Sequence, residues 1–199
     1  TPNYGWPVPT STDYVKDGAL AIETLGDAID ATVFGLPTSA AGLTLIKTQT
    51  IGTAVSSVNV TGAFSATYDN YKIIVSGGVG SANNWVTLKL GATVTGYYWA
   101  LSTYTFASGA ASVGAGNQAS FGRSGYHTLY TIAANYELIN PFNAKDTLLH
   151  YPYIQPTTNG EGGIGGGYIA NNTSYTDFTI APTTGTFTGG TIYVYGYNK

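Results

Sequence analysis

Leu43-Thr44-Leu45-Ile46-Lys47-Thr48-Gln49-Thr50-Ile51 sets the pattern that most of the chain follows. Leu43, Leu45 and Lys47 alternate with Thr44, Ile46 and Thr48, the two-residue period of a strand. Downstream, runs rich in β-branched and aromatic residues recur at Val58–Val60, Tyr71–Ser76, Trp85–Leu90, Gly96–Phe106 and Tyr126–Leu138. Three more follow at Thr147–Ile154, Tyr175–Ala181 and Thr191–Tyr197. Turn residues separate them, such as Asp69-Asn70, Gly77-Gly78, Gly114–Asn117 and Asn159–Gly167. About nine strands with no helix between them predict a mainly β chain, an antiparallel β-sandwich of jelly-roll type over residues 43–199. Ala107–Ala119, built from Ala, Ser and Gly, reads as a loop. So does Glu161-Gly162-Gly163-Ile164-Gly165-Gly166-Gly167, which lacks the Lys-Ser/Thr that would make it a phosphate loop.

Upstream the period changes. Val15, Ile22 and Ile29 are seven apart, and Gly18, Leu25 and Thr32 form a companion row. Asp17, Glu23, Asp27 and Asp30 avoid both rows. That is a narrow coiled-coil stripe, with Val15, Gly18, Ile22, Leu25 and Ile29 as its oligomer seam. Thr10-Ser11-Thr12-Asp13 supplies helix-capping residues before it. A lone helix of this length is marginal in water. Gly18 and Gly26 each cost it up to about 1 kcal/mol relative to Ala. It therefore packs on the chain's own globular part or on copies of itself, and self-association is the reading adopted. β-branched residues in one row and Leu in the other lean towards two strands without fixing the copy number.

The opening Tyr4-Gly5-Trp6-Pro7-Val8-Pro9 cannot form regular structure, because its prolines remove backbone donors and hold their predecessors extended. An extended arm carrying two aromatics either inserts into a partner or folds back on its own helix. Tyr4, Trp6 and Pro7 are the anchoring candidates. The expected organisation is an arm at 1–12, an oligomerisation helix at 13–34, a linker at 35–42 and a sandwich knob at 43–199.

Charge supports that division. Residues 1–34 hold five acids against Lys16, a balance of −4, whereas residues 35–199 hold five acids and six bases, a balance of +1. Charged residues are only 9 % of the 199, against a usual share of about 25 %. Thr, Ser, Asn, Gly and Tyr fill the surface instead. A net charge of −3 argues against a nucleic-acid partner. The longest apolar runs fall far short of the ~18 residues of a membrane helix, and the opening residues do not read as a secretory signal. The absence of Cys excludes disulfides and thiolate metal sites.

Catalytic chemistry finds little purchase. His127 and His150 are the only histidines and lack metal-ligand spacing, so no metal or cofactor is expected. No Gly-x-Ser-x-Gly elbow occurs, and the five acids of residues 35–199 form no recognisable glycosidase pair. One constellation suits a ligand: Trp85, Tyr97, Tyr98, Trp99 and Tyr104, with Asn83 and Asn84 beside them. Flat aromatic faces beside amides suit sugar rings. The favoured account, however, is that these aromatics fill the sandwich core or a subunit interface.

Tyr4-Gly5-Trp6-Pro7, Asp13-Tyr14-Val15-Lys16-Asp17-Gly18-Ala19 and Ile22-Glu23-Thr24-Leu25-Gly26-Asp27-Ala28-Ile29-Asp30 together resemble the N-terminal module of tailed-bacteriophage fibre and minor structural proteins. Leu45–Ile51, Tyr68-Asp69-Asn70-Tyr71-Lys72-Ile73, Phe178-Thr179-Ile180 and Gly185–Gly196 resemble segments of phage virion β-domains. Trp99–Pro156 carries no such signature. The resemblance implies a virion location on the particle surface, a stem for attachment and oligomerisation, and in many members a homotrimer. About 20 helical residues span only some 30 Å, so a short appendage is expected rather than a long fibre. Its knob would bind a host-surface glycan or protein. The alternative is a capsid decoration or head-fibre protein with a purely structural role; a glycan-cleaving enzyme is the reading from another class.

Overall fold

The computed structural model describes every residue except Thr1, Asn3, Ser11, Asp13, 36–41 and Lys199. Most of the expected linker at 35–42, and Ser11 and Asp13 of the expected helix cap, lie outside the described residues. Two compact units result, residues 1–41 and 42–199.

In the first unit the expected helix is present but starts later than Tyr14. Val15–Asp17 forms a 3₁₀ turn, and α1 runs from Gly18 to Phe34. Its end closes through the Gly35 N–H, which donates to the Ala31 carbonyl. The arm returns along the helix: the Trp6 indole N–H donates to Thr32 Oγ1 at 2.8 Å. Tyr4 stacks on Trp6 with ring centroids 5.1 Å apart. Gly18, Ala21, Leu25, Ala28, Ile29 and Thr32 are half-buried, and no residue of α1 is fully buried.

The second unit is an antiparallel β-sandwich. In chain order its strands are β1 (Leu43–Thr50), β2 (Val58–Val60), β3 (Asn70–Ser76), β4 (Val79–Gly80) and β5 (Asn84–Leu90). Next come β6 (Tyr97–Thr105), β7 (Gly109–Gln118), β8 (Phe121–His127), β9 (Ile132–Ala133) and β10 (Asn135–Ile139). The last are β11 (Thr147–Ile154), β12 (Glu161–Ile169), β13 (Phe178–Pro182), β14 (Phe187–Thr188) and β15 (Thr191–Tyr197). The large sheet has eight strands in the order β1-β15-β3-β10-β11-β12-β6-β7, and the small one five in the order β2-β13-β5-β8-β9.

Alternation places the core between the sheets. Tyr71, Ile73, Tyr136, Leu138, Leu149, Tyr151, Ile192 and Val194 point inward from the large sheet. They meet Val60, Val86, Leu88, Leu90, Phe121, Phe178 and Ile180 from the small one. Fully burying such a side chain contributes about 1.5–3 kcal/mol. In β1 the expected alternation is interrupted by a bulge between Leu45 and Lys47, which lets Ile46 pack on the core.

Three expectations are corrected. Ala107–Ala119 is mostly strand: β7 pairs along β6, its small residues held by that ladder rather than by their own preference. Glu161–Gly167 is likewise strand, within β12, where two neighbours on either side supply the hydrogen bonds. Gly165 and Gly167 are required there by packing, since a Cβ at either would fall on the Tyr151 ring or on the Tyr98 carbonyl and the Phe121 ring. The single strand read at Tyr126–Leu138 is broken into the end of β8, a turn at Thr128–Thr131, β9 and β10. The turn returns the chain beside β8 as β9, and the crossing from the small sheet to the large one follows at Ala134, between β9 and β10.

His127 is wholly buried, edge-on to Phe187 with ring centroids 5.3 Å apart. Gly80 makes room for it, because a Cβ there would meet Nδ1. Burial holds its imidazole below the usual range, a shift only partly offset by backbone acceptors at Ala82 and Thr184. Below about pH 6.5 the unfolded chain takes up a proton that the folded one resists, so stability falls as pH drops. Urea unfolding should show a decline between about pH 6.5 and 5 that is flattened in His127→Gln. An unchanged slope in that variant would assign the decline to other groups.

Candidate functional site

The two outer faces of the sandwich differ. The small sheet presents Asn59, Thr87, Lys89 and Thr179 outward. The large sheet presents Leu148, Ile154, Ile164, Tyr98, Tyr104 and Tyr168, all exposed. A contiguous apolar face of this kind marks a contact or ligand surface rather than a water-facing one.

That face is hollowed. A trough of about 1020 Å³ crosses β3, β10, β11, β12, β6 and β7, lined by Lys72, Glu137, His150, Pro152, Ile164 and Ser102 among others. Local sequence explains its shape. β10 pairs with β11 only as far as Glu137–His150, so Pro152 lies where β11 has lost that neighbour. A residue without an N–H is tolerated there. Along the floor, Gly114, Gly166 and Ala100 keep the surface low. A second hollow of about 390 Å³ continues from it, sharing Ala100 and Gly166 and walled by Tyr98 and Tyr168. These two tyrosines face each other across β6 and β12 and stack at 5.0 Å with planes 13° apart. Gly116 leaves room for the Tyr98 ring.

One end of the trough is polar. Lys72 Nζ lies 3.1 Å from Glu137 Oε1, and the Tyr197 hydroxyl donates to the same oxygen at 3.0 Å. His150 stands opposite Glu137 in the β10–β11 register. The Lys72 ammonium, and after it the Tyr197 hydroxyl, hold the Glu137 carboxyl below its usual range. At the other end Ser102 and Ser112 are directly opposed across β6 and β7. Among the described residues no group of three His, Asp or Glu stands close enough to hold a metal ion. No described helix is long and apolar enough to cross a membrane.

The aromatic constellation at Trp85, Tyr97, Tyr98, Trp99 and Tyr104 does not form one surface. Alternation along β6 sends Tyr97 into the core, where its hydroxyl takes the Leu90 N–H, and turns Trp99 inward towards Gly122. Tyr98 and Tyr104 point outward. Trp85 belongs to the small sheet and lies under the Arg123 guanidinium at 4.1 Å. Only Tyr98 therefore borders the trough with its ring exposed; the sequence reading missed Tyr168, His150, Ser102 and Ile164. The nearest signal was the Gly-rich run before Tyr168, although Gly163, Gly165 and Gly167 in it are required by packing.

In the first unit, Val15 is 98 % and Ile22 66 % exposed, whereas Gly18, Leu25 and Ile29 are half-covered. Tyr4 and Pro7 are exposed, and Trp6 is half-buried on Thr32. Comparisons with family models, curated proteins and solved structures found no match to this chain.

Glu137 gives a pH test. Its depressed folded value adds stability that is complete above the unfolded value of about 4.5 and lost as pH falls through the folded one. The effect is small, because the two side chains are 23 % and 45 % exposed. Glu137→Gln should lower the neutral urea midpoint slightly and flatten the acid limb below about pH 4.5 by the same small amount, so that the two proteins converge in acid.

Proposed function

We propose that this chain is a non-enzymatic structural component of a bacteriophage particle, a short oligomeric appendage with a stem and a jelly-roll knob. Eight strands support the jelly-roll assignment. Numbered one to eight, β1, β2, β3, β5, β8, β10, β13 and β15 lie in the orders 1-8-3-6 in the large sheet and 2-7-4-5 in the small one. That is two Greek keys wound into two sheets. The β6–β7 and β11–β12 hairpins widen the first of them.

The observation that carries the oligomeric reading is the bare apolar side of the helix. Val15, Leu20, Ile22, Val33 and Phe34 are all exposed, from 58 % to 98 %. The arm covers only part of the opposite stripe. A 17-residue helix with no buried residue gains little from its own chain. Copies of the same helix supply the missing apolar surface, through the seam of Val15, Gly18, Ile22, Leu25 and Ile29. The knob's strands are long-range and well packed, so they do not depend on the stem for their core.

The attachment reading rests on the arm. Tyr4 is 65 % exposed although its ring is already stacked on Trp6. A pre-ordered arm loses less entropy on docking. Its partner on this reading is another virion component, and the assembled copy number is three.

Ile22→Ser with Leu25→Ser should shift the full chain from oligomer to monomer in sedimentation velocity while the knob's near-ultraviolet circular dichroism persists. An unchanged mass would remove the seam. Deleting residues 1–9 should leave a folded oligomer that no longer attaches to particles lacking the native protein. Full incorporation of that deletion would move the anchor elsewhere, with the stem the next candidate.

A further inference from the structure

We infer that the trough on the outer face of the large sheet is the binding site for a neutral oligosaccharide. The inference takes the appendage reading as its setting, and its observations lie wholly within the knob. Dimensions come first. The trough crosses six adjacent strands, β3 to β7 in sheet order, hence five gaps. At about 4.8 Å each, they give a length of about 24 Å. A polymer chain lies along such a hollow; a compact metabolite fills only a fraction of it.

Charge comes second. Lys72 and Glu137 are paired with each other, and Tyr197 adds a further donor to Glu137. No surplus of either sign remains at that end to select an ion. The remaining polar groups are hydroxyls and an imidazole: Ser102, Ser112 and His150. Those are partners for neutral hydroxyls, which both donate and accept.

The apolar surface is arranged to match. Pro152 and Ile164 line the main hollow, and the stacked Tyr98–Tyr168 pair walls its continuation. A sugar ring has a C–H face and a hydroxyl rim, so a chain of rings meets this alternation of apolar platform and small polar group. The low floor has a cost: Gly and Ala are poor strand formers. Gly166, which lines both hollows, faces outward from β12. Close approach of a ligand to the backbone accounts for such a residue in a strand interior.

The test uses the full chain and isothermal titration calorimetry with hexasaccharides of glucose, mannose, galactose and N-acetylglucosamine, and hexagalacturonate as an acidic control. At least one neutral hexasaccharide should bind. Ala100→Trp, which fills the floor from an exposed position shared by both hollows, should weaken it about tenfold or more. Tyr168→Ala, which removes half the platform, should weaken it about fivefold. Sedimentation of the same samples separates this inference from the stem: a monomeric chain that still binds overturns the stem alone. Silence with all four neutral probes, binding of the acidic control only, or affinity unaffected by both substitutions would overturn the trough assignment. So would a fall in oligomer mass caused by Ala100→Trp, since that would make the face a subunit contact.

Discussion

Tyr71, Tyr97 and Tyr136 are wholly buried, and a phenol left unpaired in a core costs about 1–3 kcal/mol. The sandwich is arranged so that each of them reaches a partner. The Tyr97 hydroxyl, from the large sheet, takes the Leu90 N–H of the small sheet at 2.8 Å and lies within 3.2 Å of the Thr93 carbonyl. Ser124 Oγ donates to the Val86 carbonyl, so the Tyr136 hydroxyl is the donor to Ser124 across the two sheets. Tyr71 receives the Ser65 N–H and closes the loop that leads into β3. Burial pushes the phenols of Tyr97 and Tyr136 far above their usual range, so they stay neutral donors at any physiological pH. These ties fix the spacing and register of the two sheets in a chain with no disulfide.

Because the inner faces are filled by large rings, the glycines of β12 acquire two duties. Gly165 and Gly167 yield space inward to Tyr151 and Phe121. Gly166, on the other side of the same strand, leaves the outer face low. Five of the nine residues of β12 are glycine, and the trough lies over that strand. The Lys72–Glu137–Tyr197 cluster and the Ser102–Ser112 pair then stand as its two ends, and the Tyr98–Tyr168 stack walls its continuation. Strand-borne groups of this kind are held more firmly than loop-borne ones.

The stem follows a different logic. Its helix has two glycines, no buried residue and one side partly covered by the Trp6 arm. What the knob gains from long-range strand pairing, the stem gains on the proposed reading from copies of itself. The two units also differ in charge, with five acids against one base in residues 1–34 and the rest almost neutral.

Local pattern alone determined a good deal. The period of two in Leu43–Ile51 and its successors, and the period of seven in Val15–Ile29, depend only on near neighbours. Strand class, helix position and the boundary between two units were therefore legible. What near neighbours do not encode was not. Ala107–Ala119 and Glu161–Gly167 read as loops because their residues have little strand preference; pairing makes them strands, of β7 with β6, and of β12 with its neighbour β11 and with β6, which is far away in sequence. The aromatic cluster read as one site because adjacent residues look close in a string. In a strand, adjacent side chains leave by opposite faces, so Tyr97 and Trp99 went inward while Tyr98 went out to meet Tyr168, 70 residues later. The trough belongs to six strands at once, and only the tertiary structure could assemble it.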